Sequence, residues 1–564
     1  MSVQQLIKTI RESVIGEGRP LQTPFGLRPL VYADYTASGR SLDFIERYIQ
    51  EHVLPWYANT HTETSATGLQ TTSLREEARE LIKRSVQAGE EDLVIFCGSG
   101  ATAAVHKLID ILNLRLPAEL NDRYRLLDQV PEEQRPVVFI GPYEHHSNEL
   151  PWRESIADLV TIGLDAEGDI DLSQLEAELV RFQDRPLKIG SFSAGSNVTG
   201  LLTNTTAISR LLHRHDALSF WDYAAAAPYV EINMQGEGEG SHQDALFISP
   251  HKFVGGPGTP GLLILNRKLL SNRVPSVPGG GTVSWVSPDS HCYLKAGERR
   301  EEGGTPAIIE SIRAGLVFQL KDAVGAQTIE RLEHEFVRAA LRRWRENSQI
   351  SVLGDLDKPR TSIVSLQIRS GGKVLHHGFV TALLNDLFGI QVRGGCSCAG
   401  PYGHELLGMD QPTSEAIETS IGEGNSVLKP GWVRLNFNYF ISRDTFEYLV
   451  RAMELVADYG WRMLGHYQFN AERGVWGYKG ALPTADIRLG DINYQSGSLS
   501  FSNPNGTDQA AQLDQLSDYL VEAEQLMQSI EAVDSDCGIQ LEANAEALRW
   551  FSLPTDQGLM AEKH

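Results

Sequence analysis

In the stretch Phe247-Ile248-Ser249-Pro250-His251-Lys252-Phe253-Val254-Gly255-Gly256-Pro257-Gly258, an apolar run ends in a Ser-Pro-His-Lys turn and then a loop of glycine and proline. Four apolar residues, Ala245 to Ile248, bounded by turn residues read as a buried strand. Lys252 therefore falls at the carboxyl end of a strand, with little side-chain bulk after it. A lysine so placed can form an imine with an aldehyde once burial or a neighbouring cation lowers its pKa. The alternative is a solvated charge on a glycine-rich loop.

Outward from this turn, strand and helix patterns alternate. Strands are predicted at 30–34, 93–96, 137–140, 159–163, 187–192, 217–221, 245–248 and 261–265, with helical periodicity after Ser99 and over 172–182 and 204–213. That alternation predicts an α/β fold, a mostly parallel sheet covered by helices on both faces. The polar segment 112–136 reads as an insertion or long surface loop. Beyond Gly303-Gly304-Thr305-Pro306, helices at 308–324 and 328–347 lead to strands near 350–352 and 363–368, a helix at 375–387 and a final helix at 443–460. Helices followed by strands predict a separate, smaller α+β domain. After Gly465 the pattern changes to short strands (474–478, 487–489, 498–501), a polar turn Ser502-Asn503-Pro504-Asn505-Gly506 and an amphipathic helix at 509–530. The expected division is an N-terminal helix in 1–24 packing on the small domain, a large α/β domain over 25–300, a small domain over 301–465 and a C-terminal extension over 466–564.

Composition narrows the partners. Lys plus Arg number 50 against 73 Asp plus Glu, a net charge of -23, which speaks against duplex nucleic acid or an anionic membrane as the main partner. The five cysteines (97, 292, 396, 398 and 537) are odd in number and sparse. They predict a reducing, cytoplasmic setting rather than a disulfide scaffold. Leu6, Ile7, Ile10 and Val14 fall at helical spacing without an apolar leader core, and no 18-residue apolar run follows.

Open α/β sheets bind ligands at the carboxyl edge of their strands, and the polar residues expected there form a series. Ser99-Gly100-Ala101-Thr102 opens a helix, whose free N–H groups and dipole make an anion seat or an ordinary cap. In Glu144-His145-His146-Ser147-Asn148 an imidazole can stack on an aromatic cofactor or stand in solvent. Asn197, in Ser196-Asn197-Val198-Thr199-Gly200, offers an amide to a phenolic oxygen or merely shapes a turn. Asp222 ends the run Leu218-Ser219-Phe220-Trp221; such a carboxylate pairs with a protonated pyridine nitrogen or with backbone N–H groups. Thirty positions on comes Lys252, preceded by Ser249 and His251, which can both bind phosphate.

The ordered series Ser-Gly-Ala-Thr, Glu-His-His-x-Asn, Ser-Asn-Val-Thr-Gly, Asp-x-Ala, Ser-x-His-Lys and Gly-Gly-Gly-Thr resembles the class V aminotransferase superfamily. These are pyridoxal phosphate (PLP) enzymes of fold type I, and the likeness, to cysteine desulfurases and selenocysteine lyases, spans roughly residues 32–459. The resemblance implies that Lys252 holds PLP through its amine, Asp222 keeps the pyridine nitrogen protonated, His145 stacks on the ring and Asn197 contacts the phenolic oxygen. Ala101, Thr102, Ser249 and His251 would bind the phosphate. The segment Gly279-Gly280-Gly281-Thr282 would reach the phosphate of a neighbouring subunit, which implies a homodimer.

A second stretch, Val392-Arg393-Gly394-Gly395-Cys396-Ser397-Cys398-Ala399-Gly400-Pro401, resembles the desulfurase loop Arg-x-Gly-x-x-Cys-Ala and puts Cys398 at its nucleophile position. A thiolate there can take the sulfur of a substrate cysteine as a persulfide and release alanine. Cys396 replaces a histidine common in that loop and is a second potential sulfur acceptor. The alternative is two small residues in a tight turn. Read as metal ligands, Cys396, Cys398 and His404 lack a fourth partner, so no metal is expected. Arg434, in Gly431-Trp432-Val433-Arg434-Leu435-Asn436, matches the family arginine that clamps the substrate carboxylate, or is a strand arginine facing solvent. Two departures stand out: Ala225 where the desulfurases carry a glutamine three residues after the aspartate, and Ala103 where an acid often follows the threonine. The expectation is a PLP enzyme acting on an amino acid, desulfurase-like and served by a sulfur-acceptor protein. The rivals are transamination, epimerisation or β-elimination, and a non-catalytic scaffold.

Overall fold

Seven strands form the main sheet: β1 Asp92–Cys97, β2 Val137–Ile140, β3 Asp158–Thr161, β4 Lys188–Ser193, β5 Leu218–Asp222, β6 Ala245–Ile248 and β7 Gly261–Asn266. Their order is β1-β7-β6-β5-β4-β2-β3, and β7 runs antiparallel to both its neighbours while the others pair in parallel. Every residue of β1, β2, β4 and β6 is buried, as a sheet covered on both faces requires. The computed structural model describes residues 2–60, 62–481, 485, 487–495, 497–500 and 513–556.

Four helices position what matters around this sheet: α1 Val3–Ser13, α2 Ala66–Ser85, α3 Gly100–Ile111 after β1, and α4 His146–Arg153 after β2. Ile7 and Ile10 of α1 enter the large apolar cluster on one sheet face, and Arg11 donates to the carbonyls of Phe440 and Ile441.

The second unit begins with α5 Ile308–Val324 and α6 Ala326–Glu346. Its strands are β8 Ile350–Val352, β9 Ile363–Ser370, β10 Lys373–Val374, β11 Arg393–Gly395 and β12 Trp432–Asn436, ordered β8-β9-β12-β11 with β10 on β9, all antiparallel. The helices α7 His377–Phe388, α8 Gly400–Leu407, α9 Gln411–Gly422 and α10 Arg443–Tyr459 complete it. The C-terminal extension adds a hairpin, β13 Tyr467–Asn470 and β14 Val475–Tyr478, and a helix, α11 Leu516–Ser529. It shares one core with the small unit: Tyr467, Trp476, Met527 and Phe551 are buried together with Phe379, Leu383 and Leu455. Tyr467 also donates its hydroxyl to the Asp386 carboxylate at 2.9 Å. Among the described residues no helix is long and apolar enough to cross a membrane.

Three expectations are corrected. The strand expected at 30–34 is Val31–Tyr32, and it does not open the large sheet: it pairs in parallel with Ile390–Gln391, and Val31 and Ala33 sit in the small unit's core. Alternation identifies a strand but not its partner. The segment 112–136 carries a helix, Ala118–Tyr124, with no buried residue. Residues 487–489 make no strand; Leu489–Asp491 is a single helical turn and Leu489 is 87% exposed, with no neighbouring strand to take its hydrogen bonds. The turn expected at Ser502–Gly506 lies outside the described residues.

One buried ion cluster ties α2 to the sheet. The Glu302 carboxylate accepts from Arg75 at 2.6 Å, from Arg79 at 3.1 Å and from the Phe96 N–H at 2.8 Å. Burial opposes its charge, yet Arg79 and Arg75 prevail and hold its pKa below the ordinary carboxylate value. Glu302→Ala leaves two buried guanidinium groups without this partner and is expected to cost about 3–5 kcal/mol in chemical denaturation. Because the folded pKa is depressed, this contribution is present above the ordinary carboxylate pKa and is lost as pH falls through the folded value.

Candidate active site

Five strand ends of the large sheet, those of β1, β2, β4, β5 and β6, and the β11–α8 loop of the small unit line one cavity of about 390 Å³, a size typical of small-molecule sites. Ala101, Thr102, His145, Asn197, Asp222, Ser249, His251, Lys252, Cys398 and Arg434 all line it. Thr282 does not: its hydroxyl closes a turn onto the Gly279 carbonyl at 2.7 Å. Gly279 to Gly281 also stay outside this chain's own cavity lining.

At one end, α3 presents its first turn. Ser99 makes no side-chain cap, so the N–H groups of Gly100, Ala101 and Thr102 have no intrahelical acceptor; Ser249 Oγ takes that of Ala101 at 2.8 Å. Gly100 has φ +58°, and a Cβ there would stand 2.9 Å from Ser249 Oγ and 3.5 Å from His251 Nε2. The missing side chain thus keeps open a cradle of N–H groups, a hydroxyl and an imidazole. His251 is pushed down to about 4 by burial and then by Lys252.

At the other end Asp222, at the last position of β5, is buried and accepts the Ala224 N–H at 2.8 Å on Oδ1. Burial raises its pKa, against that N–H and Lys252. Between the ends stands Lys252, whose ammonium is pushed down to about 8 by burial, with Arg434 and Arg393 acting the same way and Asp222 opposing. His145 is pushed down to about 3 by burial and by Lys252. Its Nδ1 accepts the Ser147 N–H at 3.1 Å, so the neutral ring carries its proton on Nε2.

The small unit closes the cavity. Arg434 of β12 is 3% exposed; Nη1 donates to the Asn197 carbonyl and Nη2 to Asp34 Oδ1, both at 3.1 Å. Arg393 lies directly opposite it on β11 and reaches Asp34 Oδ2 at 3.4 Å. Asp34 therefore keeps two facing arginines compatible, and Arg434 Nε has no partner.

Ser397 and Cys398 both adopt left-handed backbone, φ +56° and +57°, which costs about 1–3 kcal/mol per non-glycine residue. Three hydrogen bonds hold them there. Asn197 Nδ2 donates to the Ser397 carbonyl at 2.7 Å, the His146 N–H donates to the Cys398 carbonyl at 2.9 Å, and the Gly400 N–H donates to His146 Nε2 at 3.0 Å. Cys396 and Cys398 are both exposed and reduced, but only Cys398 lines the cavity.

Asp34, His146 and Arg393 were not singled out from the sequence. Asp34 carried the signal used for Asp222, a carboxylate directly after apolar strand residues. Among the described residues, the one convergence of three metal-ligating side chains is His213, His242 and Asp244; none of them lines the cavity, and Lys268 Nζ already lies 2.6 Å from Asp244. An anion cradle, a buried carboxylate short of partners and an amine of depressed pKa around one cavity fit a group with a phosphate, a basic ring nitrogen and an aldehyde.

Fold and cavity together define a PLP-dependent enzyme of fold type I. The class V aminotransferase family model matches residues 31–426, and the chain belongs to that family. It is 29% identical over 377 residues to a probable cysteine desulfurase of Halalkalibacterium halodurans, covering 66% of this chain and 85% of that one. A probable cysteine desulfurase of Streptomyces coelicolor is 26% identical, with 66% and 84% covered. Among solved structures, the apo cysteine desulfurase of Thermococcus onnurineus matches with a TM-score of 0.60 at 24% identity, over 76% of this chain and 95% of that one. A cysteine desulfurase of Escherichia coli matches with a TM-score of 0.61 at 19% identity, over 81% and 99%.

Proposed function

We propose that the protein is a cysteine-desulfurase-like enzyme that converts L-cysteine to L-alanine and keeps the sulfur as a persulfide on Cys398. The observation that carries this reading is the placement of Cys398: exposed, fixed on a left-handed turn, and lining the cavity that holds Lys252 and Arg434. The names of the curated relatives support it.

When bound, PLP supplies an electron sink for negative charge at the substrate α-carbon. The first turn of α3, Thr102, Ser249 and His251 hold its phosphate. Asp222 pairs with its ring N–H, His145 covers one ring face, and the second N–H of Asn197 is left for its phenolic oxygen. Arg434 clamps the substrate carboxylate. Lys252, as a neutral amine, carries the proton at the α-carbon. The Cys398 thiolate attacks the substrate sulfur, so that an S–S bond forms as the Cβ–S bond breaks. The electron pair left at Cβ takes up a proton, and the balance needs no outside oxidant. Ala225 lines the cavity with a methyl group, where the desulfurases offer a hydrogen bond.

A second copy of the chain supplies Gly279 to Thr282 to this site. In support, that turn stands outside its own cavity, and the hairpin beside it, Val283–Val286 with His291–Tyr293, leaves Trp285 66% exposed. A cytoplasmic acceptor protein would then draw the sulfur from the exposed thiol.

The test is product analysis of the PLP-loaded protein with L-cysteine. Alanine together with one added sulfur on the Cys398 peptide is expected; pyruvate, a keto acid or D-cysteine without that sulfur would replace this reading by elimination, transamination or epimerisation. Protein that takes up no PLP would point to the scaffold. His146→Ala, which removes the acceptor for the Gly400 N–H, is expected to lower kcat about tenfold with little change in KM, in line with one lost hydrogen bond, as steady-state kinetics will show.

A further inference from the structure

The loop 196–200, which follows β4, is held from two sides. Its N–H groups are met from its own start: Ser196 Oγ takes those of Val198 and Thr199 at 3.2 and 3.1 Å, and the Ser196 carbonyl takes that of Gly200 at 3.0 Å. Its carbonyls are met from the small unit, with a donor for each of four successive residues. Arg434 Nη1 donates to Asn197 at 3.1 Å, Ser365 Oγ to Val198 at 2.6 Å, Arg360 Nη2 to Thr199, and the Thr361 N–H to Gly200 at 2.9 Å. Ser365 of β9 and Arg434 of β12 are direct cross-strand partners, so their side chains rise from one face of the small sheet. At Gly200, with φ +76°, a Cβ would stand 2.7 Å from the Ile363 carbonyl oxygen; glycine lets the two units close to backbone contact.

Arg360 is the costly member of this grip. It is buried, and among the described residues it has no carboxylate within ion-pair distance. Nη2 donates to the Thr199 carbonyl and Nη1, more weakly at 3.5 Å, to the Asp355 carbonyl, while Nε has no partner. Burial pushes its pKa down to about 10, with Tyr402 and Asp355 opposing. A charge buried without an acidic partner costs stability; what it does here is take the carbonyl two residues beyond Asn197. The Asn197 side chain gives one N–H to the Ser397 carbonyl at 2.7 Å, and the other is the one proposed for the phenolic oxygen. A loop pinned at each of these carbonyls fixes where that second N–H points.

We propose that Arg360 and Ser365 are positioning residues through which the small unit holds Asn197 on the phenolic oxygen of PLP and so sets the cofactor's ionisation. This role requires the proposed contact of Asn197 with that oxygen and is independent of which amino acid reacts. An N–H on the oxygen favours its ionised form, so slackening the loop raises the pH at which the bound cofactor loses its proton. The test is the absorbance of the full-length, PLP-loaded protein titrated against pH without substrate. The titratable groups that line the cavity with Asn197, namely His145, Asp222, His251, Lys252, Arg393, Cys398 and Arg434, stay in place in every variant. Asn197→Ala is expected to move the midpoint up by about one unit, the scale of one hydrogen bond. Ser365→Ala and Arg360→Met should move it the same way by about half a unit or more, from the lower end of that scale. Ser365 carries no charge, so its shift is not a field effect, and loss of one hydroxyl leaves the fold standing. Glu302→Ala, which weakens the protein without touching the loop or the cavity, should leave the midpoint where it is. An unmoved midpoint in Ser365→Ala or in Arg360→Met, beside a shifted one in Asn197→Ala, would overturn the assignment of that residue. An equal shift in Glu302→Ala would overturn both assignments as general loosening, and an unmoved midpoint in Asn197→Ala would overturn them together with the contact they require.

Discussion

Lys252→Ala protein is expected to turn over its amino-acid substrate at least about a thousandfold more slowly, within the range that removal of a general base produces, while remaining folded. The turn that carries Lys252 is held by backbone contacts, among them the Gly39 N–H on the His251 carbonyl at 2.8 Å, and none needs the lysine side chain. The α3 cradle and Asp222 also survive, so the variant should still take up PLP but release it on dialysis, which absorbance of the dialysed protein will show. The wild-type lysine adds a pH signature. With its pKa lowered to about 8, about a tenth of the amine is neutral at pH 7, and only the neutral amine condenses with an aldehyde. The rate of PLP uptake by the apoprotein should rise about tenfold from pH 6 to 7 and level off above pH 8. A flat profile would mean that the lysine is not the attachment point.

Cys398→Ala is expected to reduce alanine release from L-cysteine at least about a hundredfold, as loss of an attacking nucleophile requires, while PLP content and the spectral response to added cysteine persist. Cys396→Ala should keep the activity, since that side chain does not line the cavity. Undiminished alanine release from the Cys398 variant would assign the loop a structural role and return the choice of reaction to transamination, epimerisation or elimination.

What was legible in the sequence was local. The apolar runs at β1, β2, β4, β5 and β6 end in Gly, Ser, His or Asp, and that pairing of strand with polar terminus is written within a few residues; Ala101, Asp222 and Lys252 all share one cavity. What was not legible depends on contacts across the chain. Asp34 meets Arg434 400 positions away, and a carboxylate after a strand does not announce its partner. Strand 31–32 could not reveal that it would pair with Ile390–Gln391. The left-handed backbone of Ser397 and Cys398 has no glycine to signal it; hydrogen bonds from Asn197 and His146 impose it. The same contact gives Asn197 a duty that its motif did not suggest. The extension's amphipathic helix was foreseen as an element, but its burial against α7 and α10 rests on shape.

The triple fastening of the Cys398 loop has a logistical consequence. A reactive thiol on a long tether can swing out and act at a distance; that of Cys398 is moored to the large domain through Asn197 and His146, by hydrogen bonds at Ser397, Cys398 and Gly400. On the proposed function, sulfur carried by Cys398 would have to be collected at the mouth of the cavity, by a receiving molecule that brings a projecting thiol to it. The pace of the handover is then set by the visitor rather than by the loop.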